Sequence, residues 1–237
     1  MTYLRHLLNL LKSELEQLIA LSLPLIAQRS LAKGLQQIWL KGDWSTLPQG
    51  AFVLASNHHS WWDLYLLLCV RSKLGRSFSG MMHEDTLERF PFFRQQGALS
   101  RLELREALRR LQQDGILHLF PEGEMQQAGQ VKGVHKGMAY LVQKTSAPVY
   151  PLAIHVVMRG AEKPEAFLVL GEAIEVGGSS ETLSANFVKT INTLLLELDK
   201  LILETPPEEA VAGFEPWYKK RQRFDEQIAK LGRLWQR

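Results

Sequence analysis

The sequence predicts an α/β fold: a central, largely buried β-sheet flanked by helices, with amphipathic helices at the N- and C-terminal ends. Three observations carry this reading. Four short apolar runs of strand length alternate with stretches of helical apolar spacing, a pattern that folds as stacked layers of sheet and helix. The first run, Ala51-Phe-Val-Leu-Ala55, is apolar throughout, as a buried strand is. The chain has 237 residues, 46% apolar and 22% charged, enough to bury one large core.

Taken in order, the elements begin with a helix over the first forty residues. Leu4, Leu7, Leu8, Leu11, Leu15 and Leu18 recur at three- and four-residue steps, away from Arg5, Lys12 and Glu16. Pro24 is expected to bend or break it. After the strand at 51–55, Ser60 and Asp63 form a Ser-x-x-Asp capping pattern ahead of the apolar run Leu64–Val70, which predicts a helix. Arg101–Asp114 reads as a charged amphipathic helix closed by Gly115. Strands are expected at Ile116–Phe120, Val149–Val157 and Phe167–Leu170, and helices at Gly137–Lys144 and Thr182–Leu203. Pro206-Pro207 then breaks the chain.

Composition and charge exclude several classes. The apolar content is too high for disorder, and no repeat or low-complexity tract occurs. The longest uncharged N-terminal stretch, Gln17–Gln28, covers 12 residues, short of the roughly 20 that span a bilayer. No cleavable signal peptide is expected, because Glu14, Glu16 and Pro24 spoil the pattern. Cys69 is the only cysteine, so no intrachain disulfide forms. The net charge is +3, and residues 214–237, with seven basic and three acidic side chains, carry +4 of it against −1 for the rest. A basic excess confined to one tail, without a recognition motif, gives no nucleic-acid partner. The scattered histidines and the single cysteine provide no metal-ligand set.

The densest chemical cluster is Ser56-Asn-His-His-Ser-Trp-Trp-Asp63, at a strand end and a helix start, where open α/β sheets hold ligands. On a continuous helix His58 and Asp63 would lie about 140° apart. They meet only if His58 sits in the turn before the helix and Asp63 reaches back from its first turn. Asp63 would then fix the tautomer of His58 and raise the basicity of its other nitrogen. His59, four residues before Asp63, is an equally placed partner, and a capped helix with a half-buried histidine is the alternative for the whole cluster. Phe120-Pro-Glu-Gly-Glu124 is a second cluster at a strand end, where a carboxylate can meet substrate hydroxyls or merely face solvent.

Together and in this order the motifs resemble the lysophospholipid and glycerolipid acyltransferase superfamily. Its Asn-His-x4-Asp stands here as Asn57-His58-x4-Asp63, and its Phe-Pro-Glu-Gly as Phe120–Gly123. A Lys-Gly step follows at Lys136-Gly137, then Val149-Tyr-Pro-Leu-Ala-Ile154 and the closing Gly171-Glu-Ala-Ile174; Gly97 and Arg101 lie between the first two motifs. The resemblance covers about residues 50 to 175. It implies transfer of an acyl group from acyl-CoA or acyl carrier protein to a lipid hydroxyl, with no other cofactor. It makes His58 the general base rather than His59, supported by Asp63, and requires no acyl-enzyme. Asn57, Arg101, Glu122, Gly123 and Glu124 become candidate substrate-binding residues, and backbone N–H groups at the helix start become candidate oxyanion donors. Cys69 reads as core. The implied organisation is a helical membrane-contact segment at 1–40, an acyltransferase domain at 41–205 and a basic amphipathic tail at 206–237.

The chain also departs from the family. Glu124 and Met125 stand where Thr or Ser and a phosphate-binding Arg usually follow the Phe-Pro-Glu-Gly. The Gly97–Arg101 step is two residues short, and His83-Glu-Asp85 replaces a stretch that often holds Lys. Weakened phosphate contacts point to a neutral or glycosylated acceptor, such as a glycolipid or glycosyl carotenoid, with lysophosphatidic acid as the alternative. A lipid-binding protein that kept the fold without activity is the rival of another class. No Gly-x-Ser-x-Gly elbow marks a hydrolase. Trp217, Phe224, Ile228, Leu231 and Trp235 fall at helical spacing opposite Lys and Arg, which suits the interface of a membrane on its cytoplasmic face.

Overall fold

The structure, a computed structural model, describes residues 2–217. Residues 218–237, which carry most of the expected basic amphipathic tail, lie outside the described residues, as do the side chains of residues 1–13, 16 and 20.

Eight strands form one sheet in the order β4-β3-β5-β2-β6-β7-β1-β8. They are β1 (Gln37–Lys41), β2 (Phe52–Ser56), β3 (Phe78–Met82), β4 (Ala98–Ser100), β5 (Ile116–Leu119), β6 (Val149–Val157), β7 (Glu165–Leu170) and β8 (Glu215–Pro216). β4, β3, β5, β2 and β6 run parallel; β7 and β1 run the opposite way, and β8 is antiparallel to β1. The helices are α1 (Thr2–Gly34), α2 (Asp63–Leu74), α3 (Glu84–Arg89), α4 (Leu104–Gln112), α5 (Gly137–Thr145) and α6 (Ser180–Glu204).

The sheet is apolar on both faces, and the two-residue period of the strands sorts its side chains between two cores. Phe52, Leu54, Tyr150 and Leu152 pack on one side with Leu31 and Leu35 at the end of α1 and Leu66, Leu67 and Val70 of α2. Val53, Ala55, Val149 and Ala153 pack on the other with residues of α4, α5 and α6. The expected α/β architecture is therefore present as three layers.

Several details differ from the sequence reading. α1 continues through Pro24 without a break. A proline inside a helix costs about 3 kcal/mol, and burial of Ala27, Leu31 and Leu35, each with no solvent exposure, offsets this by docking the following turns. α1 stops at Gly34, and the apolar residues after it form β1 rather than more helix. β3, β4 and α3 were not expected: β3 contains Ser79 and Gly80, β4 has three residues, and neither carries a strand-length apolar run. At the other end the body continues past residue 206. Val211 and Phe214 are buried, the Phe214 ring meets Phe167 edge-on at 5.2 Å, and β8 pairs with β1. Among the described residues no helix is long and apolar enough to cross a membrane.

The connections leaving β2 and β5 pass over opposite faces of the sheet. β2 leads through α2 to β3 on one side, and β5 leads through α5 to β6 on the other. Such a divergence opens a crevice at the carboxyl ends of the two strands. The loops carrying His58 and Glu122 both start there.

Candidate active site

β2 ends at Ser56, and the side chain of Asn57 continues its pairing with β6. Asn57 Oδ1 accepts the backbone N–H of Ile154 at 2.8 Å, and Nδ2 donates to the Ile154 carbonyl at 2.8 Å. The chain then turns into α2, whose first residue is Asp63, fully buried. One oxygen of Asp63, Oδ2, accepts three hydrogen bonds: His58 Nδ1 at 2.8 Å and the backbone N–H groups of His59 and Ser60 at 2.9 Å each. A first-turn carboxylate is also favoured by the helix dipole.

This is half of the anticipated capping box. The carboxylate reaches back to the Ser60 N–H, but the Ser60 hydroxyl accepts from Trp62 at 3.2 Å instead of from Asp63. The Asp63 N–H is already taken by the Ser60 carbonyl at 3.1 Å. The tight turn this closes puts His58 beside Asp63 at a sequence spacing that a helix would splay.

The His58 ring lies against Phe120, with centroids 4.0 Å apart and planes 16° from parallel. Its main chain is held from the other motif: the N–H donates to Glu122 Oε2 at 2.9 Å, and the carbonyl accepts from the Gln126 N–H at 2.8 Å. With Nδ1–H donated to Asp63, Nε2 carries the lone pair. Nε2 has no protein partner among the described residues, and the His58 side chain is 19% exposed. The geometry is that of a general base: an oriented imidazole with an open acceptor nitrogen and a buried carboxylate behind it.

A family model described as Acyltransferase matches residues 40–155, which contain this whole constellation. Residues 40–155 are acyltransferase sequence. Among solved structures the chain is similar to the 1-acyl-sn-glycerophosphate acyltransferase PlsC from Thermotoga maritima, with a TM-score of 0.59 and 20% identity over 79% of this chain and 83% of that one. No curated protein sequence matches.

In this acyltransferase Glu122 is half-buried, and desolvation raises its carboxyl pKa above the usual range, against the lowering effect of the His58 N–H. Gly123 has φ +79°, and a Cβ there would stand 2.6 Å from the His135 ring, so both backbone and space demand glycine. Glu124 and Met125 are exposed. Arg101 follows β4, three strand positions from β2, roughly 14 Å at the ordinary strand spacing. Its Nε donates to Glu84 Oε2 at 2.9 Å, and the Ser100 hydroxyl donates to Glu84 Oε1 at 2.6 Å. The Ser100 hydroxyl, the Glu84 N–H and Arg101 together bring the Glu84 carboxyl down to about 2. The guanidinium is thus accompanied by a fixed negative charge.

The structure joins His58 to Asp63 and Glu122 through direct bonds and ties Asn57 to the same turn through His59, whereas Arg101 pairs with Glu84 and Glu124 is exposed. Part of the backbone expected to supply oxyanion donors is committed to other bonds. The N–H groups of His58, His59, Ser60, Trp62 and Asp63 are all taken within the protein. Two further histidines escaped the sequence reading. His118 is buried behind Phe120, bonds Ser56 Oγ at 2.8 Å, and is driven down to about 3 by burial. His155 faces Asp199 at 3.2 Å. Neither stands in a motif, so no spacing signal announced them. The Cys69 thiol is buried and raised to about 11, which makes it inert as a nucleophile. Among the described residues no group of three or more His, Cys, Asp or Glu could hold a metal ion.

Proposed function

We propose that this acyltransferase moves a fatty acyl group from the thioester of acyl-CoA or acyl carrier protein to a lipid hydroxyl at a membrane surface. The observation that carries the reading is the His58–Asp63 pair with His58 Nε2 open to the crevice. The acceptor hydroxyl gives its proton to Nε2 as its oxygen attacks the thioester carbonyl. The imidazolium that forms is steadied by Asp63 across 2.8 Å. When the tetrahedral intermediate collapses, the thiolate leaves and takes the proton from His58, returning the ring to neutrality.

For the acceptor we favour a neutral or glycosylated lipid. Support comes from Glu84 beside Arg101, and from Glu124 and Met125 in the loop after Glu122: a phosphate would meet carboxylates where it needs cations. The likeness to an enzyme named for 1-acyl-sn-glycerophosphate supports lysophosphatidic acid as the second reading.

Membrane contact is supported by α1. Leu15, Leu18, Leu21, Leu25 and Ile26 are exposed and fall within about 140° of the helix circumference at 100° per residue. Leu23, Ala27 and Leu31 face the opposite way, into the core. Leu21 is 79% exposed, and Trp61 in the His58 turn is 69% exposed. An exposed leucine stripe and an exposed tryptophan suit the headgroup boundary, with a cytoplasmic, peripheral location. The proposed organisation is α1 as membrane-contact segment, the sheet body as acyltransferase domain, and residues 218–237 as a basic tail.

The test is transfer of labelled acyl groups from acyl-CoA, and then from acyl carrier protein, into a total lipid extract by wild type and His58→Ala. One lipid band labelled by wild type alone supports the reading and identifies the acceptor class. Labelling of added lysophosphatidic acid in preference to neutral lipids decides for the second reading. No labelling from either donor leaves an inert lipid-binding protein as the better account.

A further inference from the structure

We propose that His59 is a positioning residue: its neutral ring clamps the His58 turn to β6, so that acyl transfer requires His59, as well as His58, to be unprotonated. The inference rests on the acyl-transfer reading above and concerns a residue with no part in the proton transfer itself.

Backbone pairing between β2 and β6 ends at Ser56 and Leu152. Along β6 the N–H groups alternate in direction, so those of Ile154 and Val156 face the side that β2 has left. The Asn57 side chain takes Ile154, and His59 Nε2 accepts from the Val156 N–H at 3.2 Å. The two side chains thereby extend β2 by two further steps. His59 is tied to the base on the same turn, because its own N–H donates to the Asp63 oxygen that holds His58. A shift of His59 away from β6 therefore moves the carboxylate that orients the base.

Protonation undoes this clamp for a stereochemical reason. The two ring nitrogens of His59 face donors, Val156 N–H and Asn57 Nδ2, the latter at 3.1 Å. A neutral ring offers one lone pair to these donors; an imidazolium offers none. The charged groups around the ring are Asp63 on α2, His58 on the same turn, His155 on β6 (centroid 5.7 Å away) and Asp199 on α6. Burial lowers the His59 pKa below its ordinary 6.5, the two histidines lower it further, and the two carboxylates oppose them. The net shift favours the neutral ring that the clamp needs over the imidazolium.

The experiment compares wild type, His59→Gln and His59→Leu. Glutamine keeps an acceptor oxygen and does not titrate; leucine fills the space and accepts nothing. Leucine is expected to lower kcat by ~10–100-fold with little change in KM for the acyl donor, the scale of a misplaced catalytic group. Glutamine is expected to restore kcat to within about threefold of wild type and to reduce the acid limb of the kcat–pH profile from two protons to one. An acid limb of the same steepness in wild type and glutamine, or a leucine variant as active as wild type, overturns the proposal. Hydrogen exchange at the Val156 amide supplies a readout independent of turnover, expected to be slow in wild type and glutamine and fast in leucine. Equal exchange in all three overturns the clamp whatever the transfer rates. That exchange pattern without acyl transfer by any of the proteins overturns both the enzymatic reading and the role of His59 in turnover, leaving only the clamp.

Discussion

Glu122 holds His58 by its main chain, Oε2 accepting the His58 N–H at 2.9 Å. Residues 64 apart in sequence are joined directly, and the oxygen that makes the bond is committed to the protein. Glu122 therefore places the His58 turn through one oxygen and leaves the other without a protein partner among the described residues.

Replacing Glu122 separates charge from hydrogen bonding. Glu122→Ala leaves the His58 N–H without its partner, and the loss is expected to be about 1–3 kcal/mol in urea unfolding, with a fall in turnover. Glu122→Gln keeps an acceptor. Because the native carboxyl pKa is raised above 4.5, the stability linked to its proton is present below pH 4.5 and is lost as the pH rises through the native value. Glu122→Gln should accordingly be at least as stable as wild type at pH 7, with any advantage fading below pH 4.5. A glutamine variant that gains stability only in acid would contradict this sign.

His58→Ala is expected to lower the transfer rate by about 10²–10⁴-fold, the usual contribution of a general base. Asp63→Asn should also be severely impaired, because an amide nitrogen offered to Nδ1–H turns the ring to the wrong tautomer. Circular dichroism of each variant checks that the fold is retained. Full activity in Asp63→Asn would exclude the orienting role.

Gly34 reports on how α1 supports the site. A Cβ at Gly34 would stand 2.1 Å from the Trp62 indole, which lies in the turn between His58 and Asp63. Gly34→Ala must push that ring aside and is expected to cost about 1–3 kcal/mol, as overpacking does. Turnover should fall with it, and Trp62→Phe in the Gly34→Ala background should recover part of the melting temperature. No change in either quantity on Gly34→Ala would mean that the α1–Trp62 contact is not maintained in solution.

Cys69 should resist alkylation. With the thiol at about 11, roughly one molecule in a thousand carries the thiolate at pH 8. Iodoacetamide at that pH is expected to label the unfolded chain and spare the native one, as read by mass spectrometry, and Cys69→Ser should transfer acyl groups at the wild-type rate.

The α1 stripe and the tail can be tested separately on liposomes. Leu18→Glu with Leu21→Glu should weaken co-sedimentation while leaving the melting temperature unchanged, because Leu18 and Leu21 are exposed. A deletion that probes the tail must begin at residue 218. Cutting at 214 would remove Phe214 from the core and β8 from the edge of the sheet, and any loss of binding would then reflect unfolding.

The elements legible in the sequence were those whose apolar pattern is complete within themselves: β2, β5, β6 and β7, and the helices α2, α4, α5 and α6. β1 was read as helix because its apolar residues follow the leucine pattern of α1, and only pairing with β7 makes them a strand. β3 and β4 were silent because Ser79, Gly80 and a three-residue length give no period to read; they are strands because β5 presents an edge to β3 and β3 presents one to β4.

By itself the sequence determined the α/β class, the cluster from Ser56 to Asp63 with His58 and His59 as rival partners of Asp63, and the motif that follows β5. Each of these is written in local spacing, which acts within a turn or an element. Only the tertiary structure decided that Asn57 and Glu122 hold the turn, that Arg101 is accompanied by Glu84, and that His59, His118 and His155 gather near the base. Those relations join strands and loops far apart in the chain. A hydrogen bond 2.8 Å long between residues 57 and 154 exists because β2 and β6 lie side by side, a fact of packing that no local pattern encodes.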